Sequence, residues 1–369
     1  MPGLSRIALA ALLSTALLAA CADDDGVNAG AGGAGGALTG VGGDDSSGSG
    51  DGGDDGVTSV TSTSGRGAQG AGGAGGGEAF GPFPIVLAHG FFGFEDFAGI
   101  DFVTYFYGVK DDLAASGEDV TTPAVDPFND STYRGAQLYA HVQQVLAATG
   151  KSKVVIIGHS QGGLDARVVA HDHPDVVAAV VTVATPHEGT PIADVLLGLV
   201  EDPFFSDVLD ELTRWAGAAL YDEVGDETSL AAPLRLFSQP GIHAFNAAYP
   251  DDPSVFYASI GGRSNDAPLS ADCGVNVVLP WMQDYASQSD PMDPLFSVAA
   301  AIVGGSDEVP NDGLVRARDS RHGEFWGCVP ADHLDEVGQL FGDGPGGSNT
   351  FDHKRFYRDL VGEIRARGY

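Results

Sequence analysis

The chain has 369 residues, of which 51 are acidic and 18 are basic, and its net charge is −33 at pH 7. This excess of negative charge argues against nucleic acid and anionic surfaces as partners, although it selects no substrate. The length suits one large domain or two smaller ones, and the composition changes abruptly near residue 80.

Residues 1–21 have the pattern of a bacterial export signal. One basic residue, Arg6, precedes an apolar run over residues 7–20 that is too short to span a bilayer. The run ends in Leu-Ala-Ala-Cys, which resembles a lipobox and predicts that Cys21 carries a lipid anchor after cleavage. The alternative is an ordinary cleaved signal with an incidental cysteine. Both interpretations predict export, either as a cell-surface or outer-membrane lipoprotein or as a secreted protein.

Residues 22–79 contain 22 glycines and no aromatic side chain. Such a segment cannot bury enough apolar surface to offset the entropy that ordering removes. We therefore predict a disordered, glycine-rich tether between the signal and a folded domain.

Residues 80–369 contain all three tryptophans and are predicted to form one domain around a single large core. Short apolar runs rich in β-branched residues are typical of strands buried on both faces of a parallel sheet. Such strands are predicted at residues 84–88, 154–157, 176–183 and 255–260. Helices are predicted at residues 136–148, 164–171 and 354–365. This alternation predicts an α/β fold with a doubly wound, mostly parallel sheet.

Ser160 lies in the sequence Gly-His-Ser-Gln-Gly, between a predicted strand and a predicted helix, which is the context that a G-x-S-x-G nucleophile requires. The glycines permit a tight turn that points the hydroxyl out of the sheet, and the following helix directs its positive end at the same place. A serine attacking a carbonyl carbon creates a negative oxygen that preplaced N–H groups must stabilise. The candidates are the backbone amides of Gln161 and of Phe91, which follows the first strand. The alternative for Phe91 is a plain glycine turn.

The nucleophile needs a base, and the base needs a carboxylate that holds its tautomer. In chains with such a serine, the acid and then the histidine come later in the sequence. Four histidines lie far enough along the chain: His243, His322, His333 and His353. We favour His333, because a candidate acid comes before it in the chain. This candidate is Asp312, which lies in Asn-Asp-Gly-Leu-Val, the short turn expected of an acid loop. Taken alone, each of these two segments would be an ordinary surface loop.

Five segments occur in a fixed order: PIVLAHGFFGF, GHSQGG, VATPHEGT, NDGLV and DHLDEVGQLFG. Together they resemble the bacterial true-lipase family, typified by the Pseudomonas and Burkholderia triacylglycerol lipases, over residues 84–342. The resemblance implies an α/β-hydrolase fold and hydrolysis of acylglycerols at an oil–water interface, with no organic cofactor. It makes Ser160 the nucleophile, Asp312 the acid and His333 the base, with the Phe91 and Gln161 amides as the oxyanion hole.

The resemblance also implies a structural calcium ion beside the catalytic histidine. The implied ligands are the carboxylates of Asp290 and Asp335 and the backbone carbonyls of Gln339 and Asp343, with Asp293 as a rival for Asp290. Calcium takes hard oxygen ligands and would brace the histidine loop. The alternative is a set of solvent-facing carboxylates in a very acidic protein.

Residues 191–239 interrupt the alternation of strands and helices. Apolar side chains recur at helical spacing over residues 204–220, opposite charged ones, which predicts an amphipathic helix. This insertion is either a mobile lid over an apolar active site or a helix packed permanently on the core, and periodicity does not separate the two.

With Cys21 assigned to the lipid, Cys273 and Cys328 remain as an even pair in an oxidising compartment, so we predict a disulfide. The alternative is two free buried thiols. In the family that the chain resembles, the second cysteine usually follows the acid closely, whereas Cys328 lies 16 residues after Asp312.

The sequence therefore predicts a triacylglycerol lipase whose partner is a lipid ester substrate. It predicts that a membrane is contacted only through the lipid anchor, and it leaves open whether a dedicated folding chaperone is needed. Two rivals remain: a short-chain carboxylesterase or polyester depolymerase, and a surface lipoprotein that uses the fold for binding only.

Overall fold

The computed structural model describes residues 82–91, 105–200, 231–264, 273, 279–286, 288–294, 296–305, 309–339, 342, 344–346 and 349–369. Six strands form one sheet: β1 (Ile85–Ala88), β2 (Val120–Thr121), β3 (Val154–His159), β4 (Val177–Val183), β5 (Phe256–Gly262) and β6 (Glu324–Val329). Their spatial order is β2-β1-β3-β4-β5-β6, and every neighbouring pair is parallel. The predicted doubly wound parallel sheet is confirmed.

The helices of the described residues alternate with these strands. They are α1 (Val109–Ala115), α2 (Ser131–Thr149), α3 (Gln161–Asp172), α4 (Pro191–Val200), α5 (Ala231–Phe237), α6 (Gln239–Ala248), α7 (Pro280–Ala286), α8 (Ser297–Gly304) and α9 (His353–Ala366). A 3₁₀ turn covers Asp335–Val337. The helices predicted at residues 136–148, 164–171 and 354–365 correspond to α2, α3 and α9.

Strands β1, β3 and β4 are buried along their whole length, because helices cover both faces of the sheet. Along β1, Ile85 and Leu87 belong to the core on one face, whereas Val86 and Ala88 belong to the core on the other. This division follows from the two-residue period of a strand. Helices α1 and α9 complete the first core, and α2 and α3 complete the second.

The carboxyl ends of all six strands open at the same edge of the sheet, because the strands are parallel. In open α/β sheets this edge is where ligands bind. Phe91 follows β1, Ser160 follows β3 and His333 follows β6, while Asp312 lies between β5 and β6. The topology therefore brings the residues selected from the sequence to one edge.

Cys273 and Cys328 form a disulfide, which confirms the predicted pair. The bridge holds the end of β6, five residues before His333. The predicted tether and Cys21 lie outside the described residues. Of the lid candidate at residues 191–239, residues 201–230, which include the predicted amphipathic helix at 204–220, also lie outside them, whereas α4 and α5 are described. Within the described part of the chain, no helix is long and apolar enough to cross a membrane.

Candidate active site

Ser160 occupies a strained turn between β3 and α3, with φ 54° and ψ −127°. The turn depends on its flanking glycines. A Cβ atom on Gly162 would collide with the backbone carbonyl of Ala88, and one on Gly158 would lie 2.5 Å from the backbone of Gly162 and Gly163. Such close approach of α3 to the strands is what the G-x-S-x-G spacing makes possible. A residue with a side chain costs about 1–3 kcal/mol of free energy in such a backbone conformation, so the surrounding structure must hold the turn in place.

His333 and Asp312 form a hydrogen-bonded pair, with 2.9 Å between His333 Nδ1 and Asp312 Oδ2. The other carboxylate oxygen of Asp312 accepts from the backbone N–H groups of Leu314 (2.8 Å) and Val315 (2.7 Å). Asp312 is fully buried. Because an ionised carboxylate only accepts hydrogen bonds, the proton of the imidazole lies on Nδ1, and Nε2 is left as the basic nitrogen.

The His333 ring also packs beside the elbow. Its centroid lies 4.6 Å from that of His159, the residue directly before Ser160. The structure thus places the His333–Asp312 pair beside the turn that carries Ser160.

The turn after β1 passes directly beside Ser160, since a Cβ atom on Gly90 would come within 2.7 Å of the Ser160 Cβ. Arg134, which is fully buried on α2, donates to the carbonyls of His89 (2.6 Å) and Gly90 (3.2 Å). Its Nε pairs with the buried carboxylate of Asp165 at 2.8 Å. One guanidinium therefore fixes two successive peptides of this turn.

The His89 side chain also holds the Gly90 carbonyl. Its Nε2 accepts from the Val125 N–H at 3.1 Å, so the ring proton lies on Nδ1, which donates to the Gly90 carbonyl at 2.9 Å. Burial, followed by the charge of Arg134, lowers the pKa of His89 to about 3, so the ring is neutral. The Phe91 N–H belongs to the same peptide plane as this carbonyl and points away from it.

A series of buried hydrogen bonds, which the sequence did not reveal, joins three further side chains next to His333. The Tyr105 hydroxyl lies 2.6 Å from His159 Nδ1, and His159 Nε2 lies 2.9 Å from Glu336 Oε2. Burial lowers the pKa of His159 far below its usual value, whereas burial and then the charge of Asp312 raise the pKa of Glu336. The neutral His159 thus accepts from Tyr105 and donates to Glu336, which fixes the ring that packs on His333.

Three carboxylates, those of Asp290, Asp332 and Asp335, form a cluster in which each offers an oxygen within 4.8 Å of the others. All three are buried. Neither oxygen of Asp290, nor Oδ2 of Asp332, has a hydrogen-bond partner within bonding distance in the described part of the chain. Burial, then neighbouring carboxylates, raises the pKa of Asp290 to about 8, and burial raises that of Asp332 to about 6.

This cluster agrees in part with the ligands expected from the resemblance. It contains Asp290 and Asp335, whereas Asp293, the rival for Asp290, is exposed and outside the cluster. Asp332 is an additional member that the sequence analysis missed. Gln339 lies just after the 3₁₀ turn, and Asp343 is outside the described residues.

A parallel sheet with a serine at a strand–helix elbow and a buried histidine–aspartate pair defines the class of α/β hydrolases. The family model described as alpha/beta hydrolase fold matches residues 84–293. A triacylglycerol lipase of Vibrio cholerae is 34% identical over 272 residues, covering 70% of this chain and 81% of its own. A triacylglycerol lipase of Pseudarthrobacter phenanthrenivorans is 30% identical over 318 residues, covering 78% of this chain and 97% of its own. The chain therefore belongs to the α/β hydrolases and, within them, to the family of bacterial triacylglycerol lipases.

A solved structure with lower sequence identity also supports the fold. The crystal structure of Staphylococcus hyicus lipase superposes with a TM-score of 0.54 at 17% identity, covering 76% of this chain and 95% of that one. At this identity the likeness concerns the fold alone.

Proposed function

We propose that the protein is a triacylglycerol lipase that works through Ser160, His333 and Asp312. The observation that carries the proposal is the strained serine elbow beside the histidine–aspartate pair. Such an elbow persists only where the fold over-determines it, and exposing a serine hydroxyl to a base is its chemical use. Membership of a family whose relatives are triacylglycerol lipases supports an acylglycerol as the substrate.

The reaction is acyl transfer through a covalent intermediate. His333 Nε2 takes the hydroxyl proton while Ser160 Oγ attacks the ester carbonyl carbon, whose π electrons move to the oxygen. The N–H groups of Phe91 and Gln161 stabilise that oxyanion. The imidazolium, held by Asp312, then protonates the departing alcohol. Water attacks the acyl-enzyme by the same route, releases the fatty acid and restores the serine.

The substrate class is tested by hydrolysis of two triacylglycerols by the purified full chain. We expect release of fatty acid from both tributyrin and emulsified triolein, measured by titration at constant pH. Activity on tributyrin alone would favour a short-chain esterase or polyester depolymerase. No activity on either would favour a surface lipoprotein that only binds, and would contradict the proposal.

We further propose that a calcium ion binds to Asp290, Asp332 and Asp335, together with backbone carbonyls of Gln339 and Asp343. The donor set fits, because calcium prefers carboxylate and carbonyl oxygens, and three buried carboxylates that lie this close together need a counter-charge to ionise. When bound, the ion would supply positive charge that holds together the segments before and after His333. It takes no part in the acyl transfer.

Removing calcium should destabilise the folded protein. Free calcium at about a hundred times its dissociation constant stabilises a protein by about 2.7 kcal/mol, which for a domain of about 290 residues is a Tm increase of roughly 4–5 °C. EDTA should therefore lower the Tm by this amount, measured by scanning calorimetry, and activity should fall at temperatures between the two midpoints.

Two variants show whether the carboxylate cluster is responsible. Asp290→Asn should remove most of the response of Tm to calcium. Asp293→Asn, a matched change at an exposed carboxylate three residues along, should retain it. If calcium raised the Tm of both variants equally, the ion would bind elsewhere. If it raised the Tm of neither, calcium binding at this cluster would be excluded.

The proposals about export rest on the sequence alone, since residues 1–81 lie outside the described residues. We propose that the signal is cleaved before Cys21, that this cysteine carries the lipid anchor, and that residues 22–79 tether the hydrolase domain to the membrane surface. A secreted form without the anchor is the alternative, and a dedicated folding chaperone is a second proposed partner.

A further inference from the structure

Two non-glycine residues of the described chain have positive φ angles, Ser160 at 54° and Ala184 at 48°. Such conformations cost free energy and usually persist where the strain has a use. Ala184 directly follows β4, and its N–H donates to the Ile260 carbonyl on β5 at 2.9 Å. The left-handed turn at Ala184 redirects the chain, so that the next residue, Thr185, lies beneath the elbow.

The two strained positions are joined by one hydrogen bond. The Thr185 hydroxyl donates to the backbone carbonyl of Ser160 at 2.7 Å, and Thr185 is fully buried. A second donor to this carbonyl, the N–H of Gly163, is more distant at 3.2 Å. The threonine hydroxyl is therefore the shorter of the two contacts that hold the carbonyl.

This carbonyl matters because of the peptide to which it belongs. The Ser160 C=O and the Gln161 N–H lie in one plane and point in opposite directions. A donor that fixes the oxygen also fixes the direction of the N–H group, and it polarises the amide so that the N–H donates more strongly. The other proposed oxyanion peptide has the same arrangement, since Arg134 and His89 hold the Gly90 carbonyl behind the Phe91 N–H.

Gly163 provides the space for this contact. A Cβ atom at Gly163 would collide with the Thr185 hydroxyl and would lie 2.8 Å from a methyl group of Thr182. The second glycine of the Gly162-Gly163 pair is thus required by the threonine, whereas the first is required by the backbone of β1.

We propose that Thr185 is a positioning residue of the oxyanion hole, whose hydroxyl, aimed by the left-handed Ala184, fixes the Gln161 N–H towards the reacting carbonyl oxygen. The inference rests on the proposed function, because it assigns a role within that acyl transfer. It predicts an effect on the chemical step rather than on substrate binding.

The test is Thr185→Val, which removes the hydroxyl and keeps the shape of the side chain. Losing an oxyanion donor outright costs roughly 10²- to 10³-fold in kcat, and losing only its orientation should cost less, about tenfold. We expect this fall in kcat for p-nitrophenyl butyrate with KM within about twofold of wild type. Thr185→Ser should recover most of the activity.

Thr182→Val is the matched control. Thr182 is equally buried, and its hydroxyl lies 2.9 Å from His187 Nε2 with no contact to the Ser160 carbonyl. It should lose a similar amount of thermal stability as Thr185→Val and keep its kcat. Should Thr185→Val fail to fold, Gly163→Ala provides a second arm, because its methyl group displaces the same hydroxyl and should lower kcat in the same way.

Equal kcat values in the two valine variants would overturn the inference, as would a serine variant no more active than the valine variant. In both cases the wild-type enzyme would still hydrolyse esters, so the proposed function would stand. An inactive wild type would instead refute the proposed function.

Discussion

Replacing Ser160 by alanine should lower kcat for ester hydrolysis by about 10⁶-fold, as expected when the nucleophile of such a triad is removed. The change deletes only the attacking oxygen. Alanine keeps the Cβ and so faces the same backbone constraint at φ 54° and ψ −127°, which leaves the histidine–aspartate pair and the oxyanion turn in place. Initial rates on p-nitrophenyl butyrate and on tributyrin measure the loss.

Ser259→Ala is the matched control for this change. Ser259 is a fully buried serine on β5 whose hydroxyl accepts from the His322 N–H at 2.8 Å. Its removal should reduce stability by about 1 kcal/mol and leave kcat unchanged. A Ser160→Ala enzyme that kept more than a tenth of wild-type activity would show that Ser160 is not the nucleophile.

The central strands could be predicted because burial on both faces leaves a clear record in the sequence. β1, β3 and β4 are nearly continuous runs of valine, isoleucine, leucine and alanine, and each was predicted within about two residues of its observed bounds. β6 was missed. It begins with the exposed Glu324 and contains Gly327 at φ 125°, so its apolar run is too short and irregular to stand out.

Helix α2 shows how polar residues conceal a helix start. The predicted helix began at residue 136, whereas α2 begins at Ser131, after the cap residue Asp130 accepts hydrogen bonds from the N–H groups of Thr132 and Tyr133. The omitted turn contains Arg134. An arginine in a polar stretch looks solvent-exposed, and only the tertiary structure shows that it is buried against the turn after β1.

The residues of the candidate site also fall into those that the sequence could predict and those that it could not. Ser160, Gln161 and Phe91 lie in segments where glycine spacing marks a local geometry, and these could be selected from the sequence. Tyr105 and Glu336 could not, because their partner His159 lies 54 and 177 residues away in the chain. Pairings at such distances leave no periodicity or spacing that a single sequence can reveal.

Asp332 was missed for a different reason. It directly precedes His333, but in a chain with 51 acidic residues one more aspartate does not stand out. Its significance comes from burial and from the nearby carboxylates of Asp290 and Asp335.

Replacing Asp312 by asparagine should lower kcat by about 10⁴-fold while the fold is retained. The backbone N–H groups of Leu314 and Val315 both donate to Oδ1, so the amide oxygen of asparagine must occupy that side. The amide NH₂ then takes the place of Oδ2 and faces His333 Nδ1. Two donors cannot face each other, so the imidazole proton moves to Nε2, and His333 can no longer accept the serine proton.

Asp252→Asn controls for the loss of a carboxylate in a similar turn. Asp252 accepts from the backbone N–H of Ser254 at 2.8 Å and from its hydroxyl, and no histidine in the described part of the chain is hydrogen-bonded to it. This variant should keep wild-type kcat. Steady-state kinetics on p-nitrophenyl butyrate, with a Tm for each variant, separate a chemical loss from unfolding.

The size of the Asp312→Asn loss also decides between two buried carboxylates. Glu336 offers an oxygen within 4.8 Å of a His333 ring nitrogen, so it is placed to act as a substitute acid. Its pKa is raised by burial, however, and its Oε2 is occupied by His159. A neutral carboxyl stabilises an imidazolium poorly, which is why we expect the full loss. Suppose that Asp312→Asn lowers kcat by less than about tenfold, and that adding Glu336→Gln removes the remaining activity. That result would identify Glu336 as the acid instead.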